Sequence, residues 1–354
     1  MNTDWLRYSC QVALPGFGDV AQQRLLRAKV LIIGAGGLGC PAALYLAAAG
    51  VGTLGIADFD VVSVSNLHRQ VLFNPGDVGK KKAVIICEKL QQQNPQINLI
   101  THDLQVMSDN VLELVQPYDI VVDCTDNFDA RYLVNDACVI AGKPLVYGAI
   151  YQFEGHAAVW NITNTDDTKS PNYRDLFPAV DATQIPNCAD GGVIPTLAGI
   201  IGCIQANEVI KYITQTGELL AGKVMIFDAL AMQSRLIKIS KTTNTNIQSL
   251  TQSIEIPILT IAEVKQGLAD NALELVDIRT DRERDEINIG GTHFEADEVD
   301  ENMDYLTGPG VKVLYCSSGK RSGEVVKYIK QKSPQAKVYS LAGGLKAWFE
   351  QVDS

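Results

Sequence analysis

Hydrophobic residues in this chain come in short runs separated by polar or glycine-rich segments, most clearly over residues 29–60. An apolar run over 30–33 stops at the glycine-rich segment 34–39, and an alanine- and leucine-rich stretch then continues to Gly50. A second short apolar run ends at Asp58. Short runs bounded by glycine predict strands and the longer segment predicts a helix, so this stretch is expected to form a β-α-β unit.

The same alternation continues to about residue 161. The pattern predicts strands over 97–102, 119–124, 145–150 and 155–161, and helices over 80–94, 109–116 and 128–142. Alternating strands and helices are typical of an α/β sheet, whose ligand crevice opens at the carboxyl ends of the strands. The strand ends that carry Gly36, Asp58 and Asp126 are therefore expected to line one crevice.

Residues 162–190 break this alternation with a long segment rich in Asn, Thr, Asp and Pro, as in functional or disordered loops. An apolar helix is expected over about 195–214, and a pair of strands within 223–239. The polar segment that follows has the composition of a linker. We therefore predict one domain over 1–240, a linker over 241–256 and a second domain over 257–354.

The last hundred residues predict a small α/β domain of their own. Strands are expected over 273–278, 311–315 and 337–340, and helices over 261–269, up to about 332, and around Trp348. The fold class is thus α/β, with a Rossmann-like domain followed by a smaller α/β domain.

Composition narrows the possible partners and compartment of the 354-residue chain. A net charge of −11 and a pI near 4.9 disfavour nucleic acid or an anionic membrane as a partner. The N-terminus lacks a signal-peptide core, and no apolar run has membrane-spanning length. Eight cysteines are scattered without any CxxC pair, which favours a reduced cytoplasm and gives no support for a zinc site.

The glycine-rich turn has the chemistry of a nucleotide site. Gly34 would permit the turn, Gly36 would let phosphate approach the backbone, and Gly39 would let helix and strand pack closely. The helix N-terminus would then offer N–H groups to phosphate. Asp58, nineteen residues after Gly39, is where an acid accepts ribose hydroxyls. The motif leaves NAD, FAD and ATP open.

A cationic edge beside this turn favours ATP. The second strand is followed by Asp60, Ser65, Asn66, Arg69, Gln70 and the lysines 80–82. Dinucleotide binding needs little positive side-chain charge, whereas attack on an α-phosphate needs Arg or Lys and usually Mg²⁺. Arg69 and Lys82 suit the phosphates, and Asp126 at a strand end suits Mg²⁺. The alternative is that the lysines form a solvated helix start and that residues 126–127 only cap a helix.

Several segments together resemble the MoeB/ThiF family of E1-like enzymes, which adenylate the C-terminal Gly-Gly of a ubiquitin-like sulfur carrier of the MoaD/ThiS kind. They are GAGGLG, ADFDVVSVSNLHRQ, the lysine cluster, CTDN and NCADGGVIPTLAGIIGCIQANEVIK, in order over about 5–240. The resemblance implies ATP, Mg²⁺ and a homodimer. The candidate ATP-binding residues are Gly34, Gly36, Gly37, Gly39, Asp58, Asp60, Ser65, Asn66, Leu67, His68, Arg69, Gln70, Lys82, Asp126 and Asn127. It also places Asp58 on the ribose, Arg69 and Lys82 on the phosphates, and Asp126 on the metal.

The resemblance extends to a cysteine and has two departures. Cys188 matches a family cysteine that can bond covalently to the activated carrier, although burial as a small apolar side chain is the alternative. The family motif RYxRQ reads RYSCQ here, so Cys10 replaces an arginine that reaches the partner subunit's ATP. Many members bind zinc through two CxxC pairs, but the matching positions, 172–175 and about 241–250, hold no cysteine. We therefore expect no zinc ligands.

Cys316 marks a second site, because it lies between a predicted strand and a predicted helix. Backbone N–H groups in such a loop stabilise a thiolate or a persulfide, and Lys320 and Arg321 add positive potential. A cysteine phosphatase would need Arg at position 322, which is Ser. The segments CSSGKRS, LVDIR and LAGGLKAW resemble a single-domain rhodanese over about 257–350, although the usual GHIxGA segment is degraded at 288–292.

These observations favour a two-step enzyme with catalytic residues Arg69, Lys82, Asp126, Cys188 and Cys316. The first domain would adenylate a carrier, and a Cys316 persulfide, loaded by an upstream persulfide donor, would deliver sulfur to give a thiocarboxylate. Two alternatives remain: a NAD-dependent oxidoreductase with an appended thiol domain, and a non-catalytic carrier-binding module. The carrier and the pathway, molybdenum cofactor or thiamine biosynthesis among others, stay open.

Overall fold

The computed structural model describes residues 3–178, 192–250 and 256–350. The chain folds into two compact units, the first within the described residues up to 250 and the second within 256–350. The mixed α/β class predicted from the sequence is confirmed, because each unit is built on a largely parallel sheet with helices against it. The domain boundaries themselves stay a prediction.

The first unit carries an eight-stranded sheet in the order β3-β2-β1-β4-β5-β6-β7-β8. Its strands are β1 Lys29–Ile33, β2 Thr53–Ala57, β3 Asn98–His102, β4 Ile120–Asp123, β5 Leu145–Tyr151, β6 Glu154–Trp160, β7 Lys223–Asp228 and β8 Gln233–Lys238. The first five are parallel and the last three are added antiparallel. Strand order reverses between β1 and β4, so the ligand crevice of this sheet lies at their carboxyl ends.

Helices cover both faces of this sheet. They are α1 Ser9–Val12, α2 Gly18–Arg27, α3 Gly39–Ala49, α4 Lys82–Gln93, α5 Val111–Val115, α6 Phe128–Ile140, α7 Tyr173–Leu176 and α8 Pro195–Thr214. One apolar core joins α2, α3, α4 and α8 to the sheet, and the other joins α5, α6 and α7. Short 3₁₀ helices lie at Thr3–Tyr8, Val64–Asn66 and Pro75–Asp77.

The helix α8 fixes the end of β4 from behind. Its Gln205 is fully buried and donates from Nε2 to the carbonyl of Asp123 at 2.7 Å. A Cβ at Gly148 on β5 would lie 2.4 Å from the Gln205 side chain, so this contact needs a glycine. A buried amide therefore holds the strand end from which the candidate Asp126 loop leaves.

The second unit carries a five-stranded parallel sheet in the order β11-β10-β12-β13-β9. Its strands are β9 Ile258–Leu259, β10 Leu273–Asp277, β11 Thr292–His293, β12 Val311–Tyr315 and β13 Val338–Leu341. Its helices are α9 Ile261–Ala269, α10 Asp281–Glu286, α11 Met303–Thr307, α12 Lys320–Lys332 and α13 Gly344–Glu350, with a 3₁₀ helix at Ala296–Glu298. No helix within the described ranges combines the length and apolarity that crossing a bilayer requires.

Candidate functional site

The glycine turn after β1 is shaped by two close backbone approaches. Gly34 has φ +97°, and a Cβ there would lie 2.6 Å from the carbonyl oxygen of Cys124. A Cβ at Gly39 would lie 2.0 Å from the carbonyl oxygen of Gly34. Neither position accepts a side chain, so the turn itself requires both glycines.

Gly36 and Gly37 differ from these two residues, because a Cβ at either position would meet only side chains and no backbone. A Cβ at Gly36 would meet only the Gln70 amide, at 3.6 Å, which leaves the backbone open to a ligand. A Cβ at Gly37 would lie 3.2 Å from Cβ of Ala198 on α8 and 3.6 Å from Cγ of Arg69, so the Arg69 side chain runs alongside the turn. The turn and the cationic edge are therefore adjacent in the fold.

Asp58 ties β2 to the glycine turn. Its Oδ2 accepts from the Ala35 N–H at 2.7 Å, and its Oδ1 accepts from the Asp60 N–H at 2.8 Å. Burial is the main influence and raises the pKa of this carboxyl, while the nearby Lys82 ammonium acts in the opposite direction. The acid predicted to bind ribose thus lies directly beside the turn.

Of the three consecutive lysines, Lys82 is the one that is buried. It is 5% exposed, and its Nζ donates to Oδ2 of the exposed Asp60 at 2.8 Å. Lys81 is exposed and bonds to the Phe59 carbonyl and to Asp103, and Lys80 is exposed beside Asp77. The solvated helix-start alternative fits Lys80 and Lys81, whereas Lys82 is held at the crevice edge.

The segment 63–70 presents the remaining candidates. Asn66 Oδ1 accepts from the Ser63 N–H in a capping box, and Ser65 Oγ lies 2.8 Å from Ser63 Oγ. Leu67 packs against the core. Arg69 Nη1 donates to the Ser65 carbonyl at 3.1 Å and lies 2.7 Å from the exposed His68 ring nitrogen Nε2.

Gln70 contributes a polar group that the protein leaves unpaired. Its side chain is buried, and its Oε1 has no hydrogen-bond partner. Its Nε2 lies near the place where a Cβ on Gly36 would stand. A buried amide in this state is costly without a partner, and the open backbone of Gly36 lies beside it.

Asp126 and Asn127 follow β4 on the other side of the crevice. Asp126 is exposed, and Asn127 Oδ1 accepts from the Ala130 N–H at 2.8 Å as the N-cap of α6. Asn127 therefore caps this helix, as the alternative interpretation expected, and its contact with ATP stays a prediction. A Cβ at Gly34 would lie 3.3 Å from the Thr125 N–H nitrogen, so the Asp126 loop borders the glycine turn.

Two buried charges that sequence reasoning missed support this loop. Asp123 is fully buried and accepts from the Thr125 N–H at 2.9 Å and from Thr125 Oγ1 at 2.6 Å. Arg131 is 8% exposed and donates from Nη2 to the Thr125 carbonyl at 3.1 Å. Burial raises the pKa of the Asp123 carboxyl, and Arg131 opposes the rise. The available signal was an acid ending the apolar strand IVVD.

Arg7 and Cys10 belong to the N-terminal segment that departs from the family motif. Cys10 is exposed, and Arg7 Nη1 donates to the carbonyl of Gln93 at 3.0 Å. Lys82 begins α4 and Gln93 ends it, so within one chain Arg7 is anchored at the opposite end of that helix. Cys188 lies outside the described residues.

The positions where the resemblance would put zinc-binding cysteines hold a hydrogen-bonded cluster, here called the polar clasp. Asp175 accepts from Thr243 Oγ1 at 2.6 Å and from the Asn244 N–H at 2.8 Å. Asn172 Nδ2 donates to the hydroxyl groups of Thr243 and Thr245. Within the described ranges, no group of three or more His, Cys, Asp or Glu side chains is placed to hold a metal.

Cys316 lies in the second unit between β12 and α12, as predicted. Its side chain is 2% exposed, and its Sγ accepts from the Gly319 N–H at 3.2 Å and from Ser322 Oγ at 3.7 Å. A Cβ at Gly344 would lie 2.3 Å from the Cys316 carbonyl oxygen, so the segment after β13 closes over this loop. The loop thus gives the sulfur the N–H donor that was expected.

Arg321 does not act as an isolated cation beside Cys316. It forms an ion pair with Glu283, with Nη1 2.9 Å from Oε2. Glu283 was missed by sequence reasoning, which assigned no element between the strands expected over 273–278 and 311–315. The signal was the pattern Thr280-x-x-Glu283, because this capping box predicts a helix start.

Comparisons with known proteins agree with both units. The ThiF family model matches residues 8–249, and the rhodanese-like domain model matches residues 260–351. The probable adenylyltransferase/sulfurtransferase MoeZ of Mycobacterium tuberculosis is 40% identical over 98% of this chain and 93% of its own length. Adenylyltransferase and sulfurtransferase MOCS3 of Drosophila grimshawi is 36% identical over 99% and 85%.

Two further matches cover about two thirds to three quarters of the chain. The sulfur carrier protein adenylyltransferase of Thermus thermophilus is 45% identical over 66% of this chain and 87% of its own. The crystal structure of Escherichia coli MccB has a TM-score of 0.61 at 22% identity, covering 72% of this chain and 74% of that one, which shows a shared fold. The chain therefore belongs to the ThiF family and continues into a rhodanese-like domain.

Proposed function

We propose that the first unit adenylates the C-terminal Gly-Gly of a ubiquitin-like sulfur carrier and that the second delivers sulfur from a Cys316 persulfide to make a thiocarboxylate. The names of relatives that align with nearly the whole chain, adenylyltransferase and sulfurtransferase, support this pairing of activities. The name of the Thermus relative supports a sulfur carrier as the substrate.

The observation that carries the proposal is the position of two cations beside the glycine turn. Arg69 runs along Gly37, and Lys82 is buried against Asp60 at the same edge. Negative charge develops on the α-phosphate and pyrophosphate as a carboxylate attacks, and fixed cations stabilise that charge. Hydride transfer to NAD has no such need, which weighs against the oxidoreductase alternative.

Magnesium fits this donor set as an ion brought in with ATP. Mg²⁺ is held by one or two carboxylates together with substrate phosphates, rather than by an all-protein cage. We assign Asp126, exposed at the strand end, as the carboxylate that would hold it. The bound ion would neutralise phosphate charge, while Arg69 and Lys82 orient the triphosphate and Asp58 binds the ribose.

Sulfur transfer would take place in two displacement reactions. The outer sulfur of the Cys316 persulfide attacks the acyl-adenylate carbonyl, forming an S–C bond and releasing AMP. A thiol, assigned here to Cys188, then attacks the Cys316 sulfur, which frees the thiocarboxylate and leaves a disulfide for a cellular dithiol to reduce. Joining both units in one chain raises the effective concentration of the sulfur donor.

Partners complete the proposal. An upstream persulfide donor would load Cys316, and the adenylating unit would act as a homodimer. The MoeZ and MOCS3 relatives favour molybdenum cofactor biosynthesis over thiamine biosynthesis as the pathway.

The decisive experiment is exchange of labelled pyrophosphate into ATP with a Gly-Gly carrier present. Exchange should persist in Cys188→Ala and be lost in Asp126→Ala. Absence of magnesium-dependent exchange with every carrier tried would overturn the adenylation proposal and favour a non-catalytic binding module.

A further inference from the structure

Glu283 joins α10 to the loop that carries Cys316. Its Oε2 accepts from Arg321 Nη1 at 2.9 Å, and its Oε1 accepts from Ser317 Oγ at 3.1 Å. Ser317 follows Cys316 directly, and Arg321 lies in the first turn of α12. One carboxylate therefore bridges both ends of the loop around the reactive sulfur.

The placement of Glu283 is built into the fold. Arg279 donates from Nη1 to the Glu283 carbonyl at 2.9 Å and forms an ion pair with Asp277 at 2.7 Å. Asp277 and Arg279 are both buried at the end of β10. Thr280 adds its N–H to Glu283 Oε2 at 3.0 Å. The Glu283 carboxylate is thus held in place by buried residues, whereas the side chains of an ordinary surface ion pair are flexible.

The Glu283–Arg321 ion pair sets part of the net charge at the entrance to the Cys316 loop, where a sulfur donor would approach. The Arg321 side chain is 42% exposed and that of Glu283 is 31% exposed, so both are reached by solvent near the loop. Together the two groups contribute no net charge. Binding of a dianion such as thiosulfate depends on cations at the entrance to the loop. A cysteine persulfide carries at most one negative charge and depends on them less.

We propose that Glu283 determines the choice of sulfur donor: by holding Arg321 in an ion pair, it disfavours thiosulfate relative to a cysteine persulfide. The inference rests on the proposed persulfide role of Cys316.

Both donors use the same bond formation. The Cys316 thiolate attacks the outer sulfur and forms an S–S bond in each case. From thiosulfate the old S–S bond breaks and sulfite leaves with the electron pair. From a cysteine persulfide the donor's thiolate leaves, and the proton of the outer sulfur stays on it. The two reactions differ in the charge of the donor and of the leaving group. A change of charge at the entrance to the loop should therefore alter the rate with thiosulfate more than the rate with a persulfide.

The test measures thiocyanate formation from cyanide by the full-length chain, with either thiosulfate or the persulfide of N-acetylcysteine methyl ester as donor. Glu283→Gln should raise kcat/KM for thiosulfate about tenfold, mainly through KM, and change the persulfide value less than about twofold. The gain should shrink as salt rises from about 50 mM to about 500 mM.

Glu286→Gln is the matched control, because it makes the same charge change on the same helix. Glu286 is 66% exposed and pairs with Arg282. It should leave both donors unchanged. Arg321→Gln gives a second test, since it should lower thiosulfate use more than persulfide use and cancel the gain in the double variant.

The inference is overturned if Glu283→Gln changes both donors by one factor, if Glu286→Gln has an equal effect, or if Arg321→Gln affects both donors equally. Enzyme-dependent thiocyanate formation from thiosulfate that survives in Cys316→Ala would instead overturn the proposed role of Cys316, which separates the two failures.

Discussion

At the scale of single residues, the three consecutive lysines show how burial separates similar side chains. Lys82 is buried against Asp60, while Lys81 bonds to a carbonyl and an exposed acid. The sequence placed all three at one helix start. Which of the three lysines is buried depends on how α4 packs in the tertiary structure, so the local sequence does not predict it.

Lys82→Ala should lower the rate of pyrophosphate exchange by about 10²- to 10³-fold, because a preorganised cation at the developing charge is lost. Lys81→Ala is the matched neighbour and should stay within about twofold of the wild-type rate, as expected for an exposed surface charge. Equal losses in the two variants would contradict the assignment of Lys82.

The Glu283–Arg321 pair should make stability depend on pH. Partial burial raises the pKa of the Glu283 carboxyl, but the Arg321 and Thr280 hydrogen bonds outweigh it and lower the pKa from 4.5 to about 2. A lowered pKa stabilises the fold above the unfolded value, and this contribution is lost as pH falls towards about 2.

Thermal unfolding of wild type and Glu283→Gln across pH tests this. The wild-type advantage in Tm should be full above pH 4.5 and should shrink steadily between 4.5 and 2. An advantage that stays constant, or that grows as pH falls, would show that the pair does not titrate in this way.

At the scale of elements, sequence reasoning succeeded where apolar periodicity is strong. The helix expected over about 195–214 is Pro195–Thr214, with its proline at the first turn, and the glycine turn after β1 lies where it was placed. The helix α10, with sequence DRERDE, was missed because it has no apolar face. Its capping box and the bonds from Arg279, which lies two residues before the helix, define it instead.

The candidate site was predicted in the same uneven way. Motif residues such as Asp58 and Arg69 were found, and their contact with a nucleotide stays a prediction. Asp123, Arg131 and Gln205 were not found, because a buried charge or amide is recognised by its partners rather than by its neighbours in sequence.

Two glycine substitutions should separate structure from binding in the turn. Gly39→Ala should destabilise the fold by about 1–3 kcal/mol, because its Cβ meets a backbone carbonyl that cannot move aside. Gly36→Ala should leave Tm unchanged but raise KM for ATP, because its Cβ has room in the protein and occupies space next to the exposed backbone. Chemical unfolding and exchange kinetics measure both; a stable Gly39→Ala variant would contradict the packing argument.

At the scale of the whole molecule, the segment predicted to be a linker is bound at its start. Thr243 and Asn244 bond to Asp175 in the polar clasp, and Leu250 packs against the core beside α6. The composition of this segment suggested a flexible connection, but its hydroxyl and amide groups have partners that only the fold brings near.

A chain truncated after Leu250 should therefore keep the Tm of the first unit, measured by its own unfolding transition. One truncated after Ser240 should lose about 1–3 kcal/mol, since several hydrogen bonds and one apolar contact are removed. Equal stability of the two truncated chains would show that the clasp contributes nothing and that the predicted boundary at 240 is sufficient.

The polar clasp also suits the chemical surroundings in which this enzyme would work. Thiolates that grip a zinc ion are attacked by peroxide and by reactive sulfur species, whereas amide and hydroxyl groups are inert to both. Asn172, Asp175 and Thr243 hold together the same two segments without a thiol or an ion. The polar clasp should therefore remain intact in the presence of chelators and polysulfide, which would disrupt a zinc–thiolate site.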